Sequence, residues 1–339
     1  MIKKKTIYKL ICVTLFAFLS LGIFFALLFN YAVKPINDRN ETITVDIPRG
    51  TSFLVSVDIL EKAGLIRQKY LFYLLVISKK AQGHIRAGEY EIVTSISPLE
   101  IIDKLVRGEI VAQDITIPED YTLHEIAALI ASFNLVDEKS FLDLTTDVKF
   151  LASLGITGNS AEGYLYPETY RLDKSMSAKE IIRIMVNQFW KKFTPEMQKR
   201  ANELGMTIPQ IITLASLIGK ESGNKDEKPL ISAVFHNRLK KNMKLQCDPT
   251  AVYDLKLFTE TIKRKHLMRN TPHNTYVING LPPGPIANPA IDSFHAALYP
   301  APVDYLYFVS NNTGSHHFSS NLSAHNKAVL KYQIERKKD

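Results

Sequence analysis

Among the residues of this chain, Glu221 is the one best placed for acid–base chemistry. It sits near the end of a run, Ile208–Ser222, in which Ile211, Leu214, Ala215 and Ile218 recur at helical spacing. Ile212 and Leu217 make that helix apolar almost all round. Glu221 then lies in line with Leu214, Leu217 and Ile218 on neighbouring turns. A carboxyl beside apolar side chains is hard to ionise, and the negative end of the helix dipole acts in the same direction. Both effects hold a proton on Glu221 near neutral pH, which suits a general acid. The plainer alternative is a solvated glutamate at a frayed helix end.

Three further clusters carry polar and aromatic residues at short spacing. Glu162-Gly163-Tyr164-Leu165-Tyr166-Pro167-Glu168-Thr169-Tyr170 holds three tyrosines and two acids. Leu245-Gln246-Cys247-Asp248-Pro249-Thr250 sets an amide and a carboxylate before a proline. Asn274-Thr275-Tyr276 precedes a backbone-rich loop, Gly280-Leu281-Pro282-Pro283-Gly284-Pro285-Ile286. Aromatic rings stack on sugar faces, and amides and carboxylates bond to hydroxyl and acetamido groups. The competing reading is that Asn and Pro serve their own turns and that the tyrosines pack the core. No metal or cofactor is expected. There is no CxxC or HExxH, and the nine histidines lack ligand spacing. Of two cysteines, Cys12 lies in an apolar run and Cys247 stands alone, which leaves no intradomain disulfide.

The elements that must position these groups are mostly helices. Thr207 caps the central helix and Gln210 reaches back to it, with Pro209 tolerated in the first turn and Gly223 as the stop. The spacing predicts helices over Leu123–Phe133, Glu138–Leu144, Ala178–Phe193, Pro195–Leu204 and Lys228–Lys240. Residues 245–325 are richer in Pro, Gly and Asn, with Tyr305–Ser310 as a strand and His317–Ser319 as its return. A helix over Ser323–Glu335 closes the chain, followed by a solvated tail, Arg336-Lys337-Lys338. Upstream, a strand (Thr42–Ile47), helices over Ser52–Ala63 and Lys69–Lys80, a strand (Gly88–Val93) and a capped helix from Ser97 to Arg107 make a small α+β unit. The segment 47–53 is echoed at 117–123, and Gly64 by Asn134, each 70 residues on. This reads as two copies of a strand–turn–helix element.

The 339 residues are 46% hydrophobic and 22% charged, ordinary for a globular chain, with a net charge of +8. Lys3, Lys4, Lys5, Lys9 and Lys34 supply five of the 42 basic residues before any acid appears. The remaining 37 face 34 acidic residues, a balance of +3, so nucleic acid is not an expected partner. Leu10–Phe29 is 20 residues without a charge, long enough to span a bilayer as an uncleaved anchor. The lysines before it place the N-terminus in the cytoplasm and the rest outside.

Taken together, the blocks Ala215-Ser216-Leu217-Ile218-Gly219-Lys220-Glu221, Glu162–Pro167, Leu245–Thr250, Asn274–Tyr276, Gly280–Ile286 and Tyr305–Val309 resemble the membrane-bound endolytic murein transglycosylases, the MltG or YceG-like family. The family pattern in the central helix usually reads Ala-Ser-Ile-Val-Glu-Lys-Glu. Its second, catalytic glutamate falls on Glu221 and its first on Gly219. The resemblance implies an α+β fold with an N-terminal transmembrane helix, a small LysM-like α+β subdomain and a larger mixed α+β catalytic domain. The corresponding segments are 1–34 (cytoplasmic stub and anchor), 35–41 (linker), 42–112 and 113–339. It implies a single-pass protein of the cytoplasmic (inner) membrane whose catalytic domain is extracytoplasmic, on the periplasmic side. Its partner would be the peptidoglycan glycan strand, with peptidoglycan synthases as further candidates. The reaction would cut nascent strands between N-acetylmuramic acid and N-acetylglucosamine, leaving 1,6-anhydro ends. Glu221 is the expected acid, and Gln246, Asp248, Asn274, Tyr276 and Glu162 are candidates for holding sugar. Two alternatives stay open: a hydrolytic muramidase with Asp248 or Glu162 as second carboxylate, and a tethered non-catalytic scaffold.

Overall fold

A computed structural model describes residues 2–255 and 262–334, with side chains from residue 7 onward. Helix α1 (Ile2–Val33) carries the uncharged run, and Ile7–Val33 is long and apolar enough to cross a membrane. The chain divides into two compact units. One is Met1–Gln113 with Arg171–Met176, and the other is Asp114–Tyr170 with Ser177–Asp339.

The first unit pairs β1 (Thr42–Ile47) antiparallel with β2 (Gly88–Val93), Thr42 opposite Val93 and Ile47 opposite Gly88. Strand side chains alternate, so Val45, Ile47, Tyr90 and Ile92 all turn inward. They meet α2 (Phe53–Lys62), α3 (Lys69–Ser78) and α4 (Pro98–Arg107), whose buried positions include Leu60, Phe72 and Leu105. A full capping box, Ser97 with Glu100, starts α4, and Gly108 ends it in the left-handed region. The end of α1 belongs to this core: Ala32 is buried in it, and Leu28 and Tyr31 pack against it. The polar stretch after α1 is stitched down. Asn37 N–H donates to Thr94 O (3.3 Å) and Thr94 Oγ1 donates to Asn37 Oδ1 (2.7 Å).

The two-copy reading acquires geometry here. β3 (Ala112–Thr116) and α5 (Leu123–Ser132) lie 70 residues after the starts of β1 and α2. Ser52 and Thr122 cap the two helices through the side chain. Gly50 and Asp120 are both left-handed (φ 77 and 61), as are Gly64 and Asn134 (φ 74 and 54). Four backbone positions thus repeat a conformation that is uncommon for a side-chain-bearing residue.

The second unit is mainly helical. After α5 come α6 (Glu138–Leu144) and α7 (Val148–Ser153); β4 (Thr169–Asp173), the strand partner of β3, has only its first two residues in this unit. Then follow α8 (Ala178–Lys192), α9 (Pro195–Glu203), α10 (Ile208–Glu221), α11 (Lys228–Lys240), the short α12 (Arg264–Leu267) and α13 (Ile291–Leu298). An antiparallel hairpin, β5 (Tyr307–Ser310) and β6 (His316–Ser319), precedes α14 (Leu322–Val329) and a π-helical turn, Leu330–Ile334. The expected end of that last helix, Glu335, and the basic tail lie outside the described residues.

α10 is the axis of this unit. Every residue from Ile211 to Gly219 is buried, against α9, α11, α13 and the 3-10 turn Asp248–Ala251. Phe189 and Phe193 stack at 5.5 Å and meet Phe294 of α13 edge-on. α13 escapes the sequence reading because eight residues between Pro289 and Pro300 are too few to display a period. Nor does Gly223 end α10. Ser222 turns extended (φ −144), and its Oγ accepts from Asn224 N (3.0 Å), so no left-handed residue is required.

Candidate active site

Glu221 is the last residue of α10, a helix started by the Thr207–Gln210 capping box and pinned by its buried stretch Ile211–Gly219. Its side chain is half-buried and opens into a cleft of about 680 Å³. Arg238, Gln246, Asp248, Tyr276 and Tyr307 share that cleft, and His325 and Val329 of α14 form a wall. Burial pushes the Glu221 carboxyl up to about 7, and the Asp248 charge adds to this. The Cys247 thiol, the Asp248 N–H and the Arg238 charge favour the ionised form and limit the rise. Burial and the Glu221 charge push the Cys247 thiol up, so it stays a neutral donor.

The loop bearing Gln246, Cys247 and Asp248 is held from three sides. Gln246 is left-handed (φ 51), a conformation that costs a non-glycine residue about 1–2 kcal/mol and turns the following residues towards α10. Cys247 N–H donates to Thr275 Oγ1 (2.9 Å), and Thr250 Oγ1 bonds the same oxygen (2.9 Å). Arg238, almost fully buried, donates through Nη1 to Leu245 O (2.8 Å) and through Nε to Leu306 O (2.7 Å), with its guanidinium over the Tyr307 ring. Tyr276 O–H donates to the Asp248 carboxylate. Burial and that carboxylate keep the phenol protonated.

Glu221, Gln246, Asp248 and Tyr276 therefore face one cleft, and Asn274 and Glu162 do not. Asn274 is fully buried, and its amide is used within its own loop. Nδ2 donates to Arg269 O (2.6 Å) and Leu267 O (3.1 Å), and Oδ1 accepts from Tyr276 N (3.1 Å). It sets the backbone under Tyr276 instead of presenting an amide to a ligand. Glu162 is also buried. It accepts from Leu123 N at the start of α5 (3.1 Å), from Tyr253 O–H (2.8 Å) and from Asn288 Nδ2 (2.8 Å). Burial pushes it up to about 7 against the Tyr253 and Leu123 donors. Beside it, Gly163 is left-handed (φ 86), and a Cβ there would lie 2.5 Å from Ile212. The tyrosines of this cluster pack: Tyr164 meets Phe189 edge-on, and Tyr170 O–H donates to Tyr166 O.

Gly219 has a specific neighbour. A Cβ at this position would stand 1.9 Å from Asp120 Oδ1, so the missing side chain makes room for the Asp120 carboxyl. Burial pushes Asp120 up to about 6, with Lys228 and Lys220 pulling the other way. Arg238, Cys247, Tyr307 and Asp120 are not among the site candidates that the sequence offers. Arg238 falls within the Lys228–Lys240 helix, Tyr307 within the Tyr305–Ser310 strand, Asp120 within the 117–123 echo, and Cys247 stands there as a thiol without a partner. Among the described residues no group of three or more His, Cys, Asp or Glu side chains is arranged for a metal ion.

One carboxyl with a raised pKa lining a cleft, together with two tyrosines, an amide and a second carboxylate, is the outline of an acid–base enzyme for a polar, ring-containing substrate. The chain belongs to the YceG-like family, whose model matches residues 45–331. An endolytic murein transglycosylase of Bacillus subtilis (strain 168) is 34% identical over 320 residues, covering 88% of each chain. One of Streptococcus pneumoniae serotype 2 (strain D39 / NCTC 7466) is 28% identical, covering 93% of this chain and 63% of its own length. The crystal structure of a putative yceG-like protein from Listeria monocytogenes matches with a TM-score of 0.59 and 35% identity. It covers 85% of this chain and 99% of the Listeria chain.

Proposed function

We propose that this chain is a membrane-anchored endolytic murein transglycosylase in which Glu221 acts first as acid and then as base. The observation that carries the reading is the half-buried Glu221 carboxyl, which lines one cleft with Gln246, Asp248 and Tyr276 and which burial pushes up to about 7. Glu221 gives its proton to the oxygen bridging C1 of N-acetylmuramic acid and C4 of N-acetylglucosamine. The C1–O bond breaks and C1 becomes oxocarbenium-like. The Glu221 carboxylate then takes the proton of the muramic C6 hydroxyl, and O6 closes onto C1 as the 1,6-anhydro ring. The nucleophile is already part of the substrate, so positioning supplies much of the rate. Gln246, Asp248 and Tyr276 hold the sugars and steady the charge at C1. Asn274 and Glu162 act one layer back, on the loop and on the start of α5.

The finer organisation follows the same reading. Residues 42–112 form a LysM-like subdomain, α1 is a single-pass anchor of the cytoplasmic membrane with its N-terminus inside, and cutting terminates nascent strands near their synthases. A hydrolytic muramidase is the second reading, favoured by one observation: Asp248 lines the same cleft as Glu221. Full-length protein in nanodiscs, given uncrosslinked nascent glycan, separates the two by mass spectrometry. Anhydro-muramic ends from wild type and none from Glu221→Gln are expected. Reducing ends would install the hydrolase, and cleavage by Glu221→Gln would sink the assignment of the acid.

A further inference from the structure

We infer that α3, with the start of α2, docks onto the lipid surface through which α1 leaves the bilayer. This rests on the reading of α1 as an anchor. The uncharged run Leu10–Phe29 matches the roughly 30 Å of bilayer hydrocarbon, at about 1.5 Å per residue. Phe24 and Leu27 therefore stand within about 8 Å of its outer edge. These two residues and Tyr31 line one cavity together with Gln68 and Leu71 at the start of α3. The start of α3 is thus held beside α1 near the outer edge of the hydrocarbon. The seat is firm because Leu28, Tyr31 and Ala32 join the core of the same unit and the stretch after α1 is hydrogen-bonded to Thr94.

The helix presents the right face for that depth. At about 100° per residue, Phe72, Leu75 and Val76 point into the core, Leu71 points sideways to α1, and Tyr70, Leu74 and Ile77 lie opposite the core. Those three are 73%, 39% and 50% exposed, and Leu54 and Val55 of α2 are 58% and 49% exposed. Tyr73 ties the two helices' faces together. Its ring meets Phe53 at 5.5 Å and Tyr70 at 6.3 Å, and its O–H donates to Leu54 O (3.3 Å). The result is a largely apolar face with tyrosines in it and Lys69 ion-paired to Asp58 and Glu61 between the two helices, a composition suited to the boundary between lipid and water. Its continuity with the anchor selects lipid over a protein partner, since a face held at headgroup depth meets lipid first.

The test uses the full chain in nanodiscs of phosphatidylethanolamine and phosphatidylglycerol. In a Cys12→Ala background the remaining Cys247 is buried and takes no label. An environment-sensitive fluorophore is placed in turn at Leu74→Cys, Ile77→Cys, Ser20→Cys in the span and Glu91→Cys on the exposed face of β2. Lipids spin-labelled near the headgroup are expected to quench positions 74 and 77 several-fold more than position 91, and aqueous iodide to show the reverse. Iodide access at 74 and 77 equal to that at 91, with position 20 lipid-quenched, overturns the docking and leaves the anchor intact. An unquenched label at position 20 overturns both. Protection that needs a second protein overturns the choice of lipid. A second variant guards against a folding artefact. Leu74→Glu/Ile77→Glu, at solvent-facing positions, should keep its thermal unfolding while a label at Tyr70→Cys moves from lipid to iodide access.

Discussion

Glu221 has to hold a proton at neutral pH and release it within one turnover, and its surroundings supply both pulls. Burial and Asp248 keep it protonated, while Cys247, the Asp248 amide and Arg238 steady the carboxylate. Cleavage, followed as kcat/KM, is expected to fall above about pH 7 as the acid ionises. Cys247→Ala removes a donor to the ionised form, so the falling limb should move to higher pH, whereas Cys247→Ser should leave it near its place. A limb unmoved in Cys247→Ala would show that the thiol is a spectator. The same burial has a stability consequence. A carboxyl whose folded pKa lies above its unfolded value contributes most below the unfolded pKa, about 4.5 here, and loses that contribution as pH climbs to about 7. Glu221→Gln should therefore melt higher than wild type at pH 8 and alike at pH 4.5, while losing all cleavage. Such an exchange of stability for activity is common at catalytic sites.

At the scale of elements, α10 and α5 depend on contacts that neither makes alone. Gly219 is the point where Asp120, at the turn into α5, enters the helix surface. Gly219→Ala gains about 1 kcal/mol of helix propensity but overpacks the Asp120 carboxyl by about 1–3 kcal/mol, so a net loss is expected. Asp120→Gly should cancel that loss in the double variant, because its backbone is already left-handed. Additive effects in a denaturant-unfolding cycle would disprove the contact. Glu162 satisfies the first N–H of α5, Tyr253 and Asn288 at once. Glu162→Ala leaves Leu123 N–H and Tyr253 O–H without this acceptor and takes one of two acceptors from Asn288 Nδ2, which keeps Tyr121 O, and should cost about 3 kcal/mol, against far less for Glu162→Gln. Equal losses for the two variants would argue against the network.

The whole molecule sums these groups. Glu162, Glu221 and Asp120 all have raised values, so each favours the fold at low pH. Glu100, Asp137, Glu196 and Asp292 are lowered, and their contributions are lost only as pH falls below the usual carboxylate range. As pH climbs above that range the three raised carboxyls lower stability, while burial holds His236 and His325 below the usual imidazole value of 6.5 and makes them oppose the loss up to about that pH, so the melting temperature is expected to decline from about pH 6.5 to pH 8. A flat profile in wild type, or an unchanged slope in Glu162→Gln, would contradict it. The two-copy architecture also belongs to this scale. Gly50 and Asp120 hold one turn in two contexts, and the second copy has put a carboxyl where the first has none.

What the amino-acid order determined by itself is local. The uncharged run of α1, the capping boxes of α4, α5, α8 and α10, the 70-residue echo and the acid at the end of a buried helix each arise within a few turns of chain. Periodicity and caps act between residues three or four apart, so they can be read in order. What only the tertiary structure decided is which polar side chains meet. Asn274 and Tyr276 are two residues apart, yet one is spent inside its loop and the other faces the cleft. That choice depends on backbone turns such as the left-handed Gln246, which no period announces. Asp120 meets Gly219 across about a hundred residues, and Glu162 meets Asn288 across 126. Contacts closed over such distances are set by packing of the whole unit, because their partners share no local pattern.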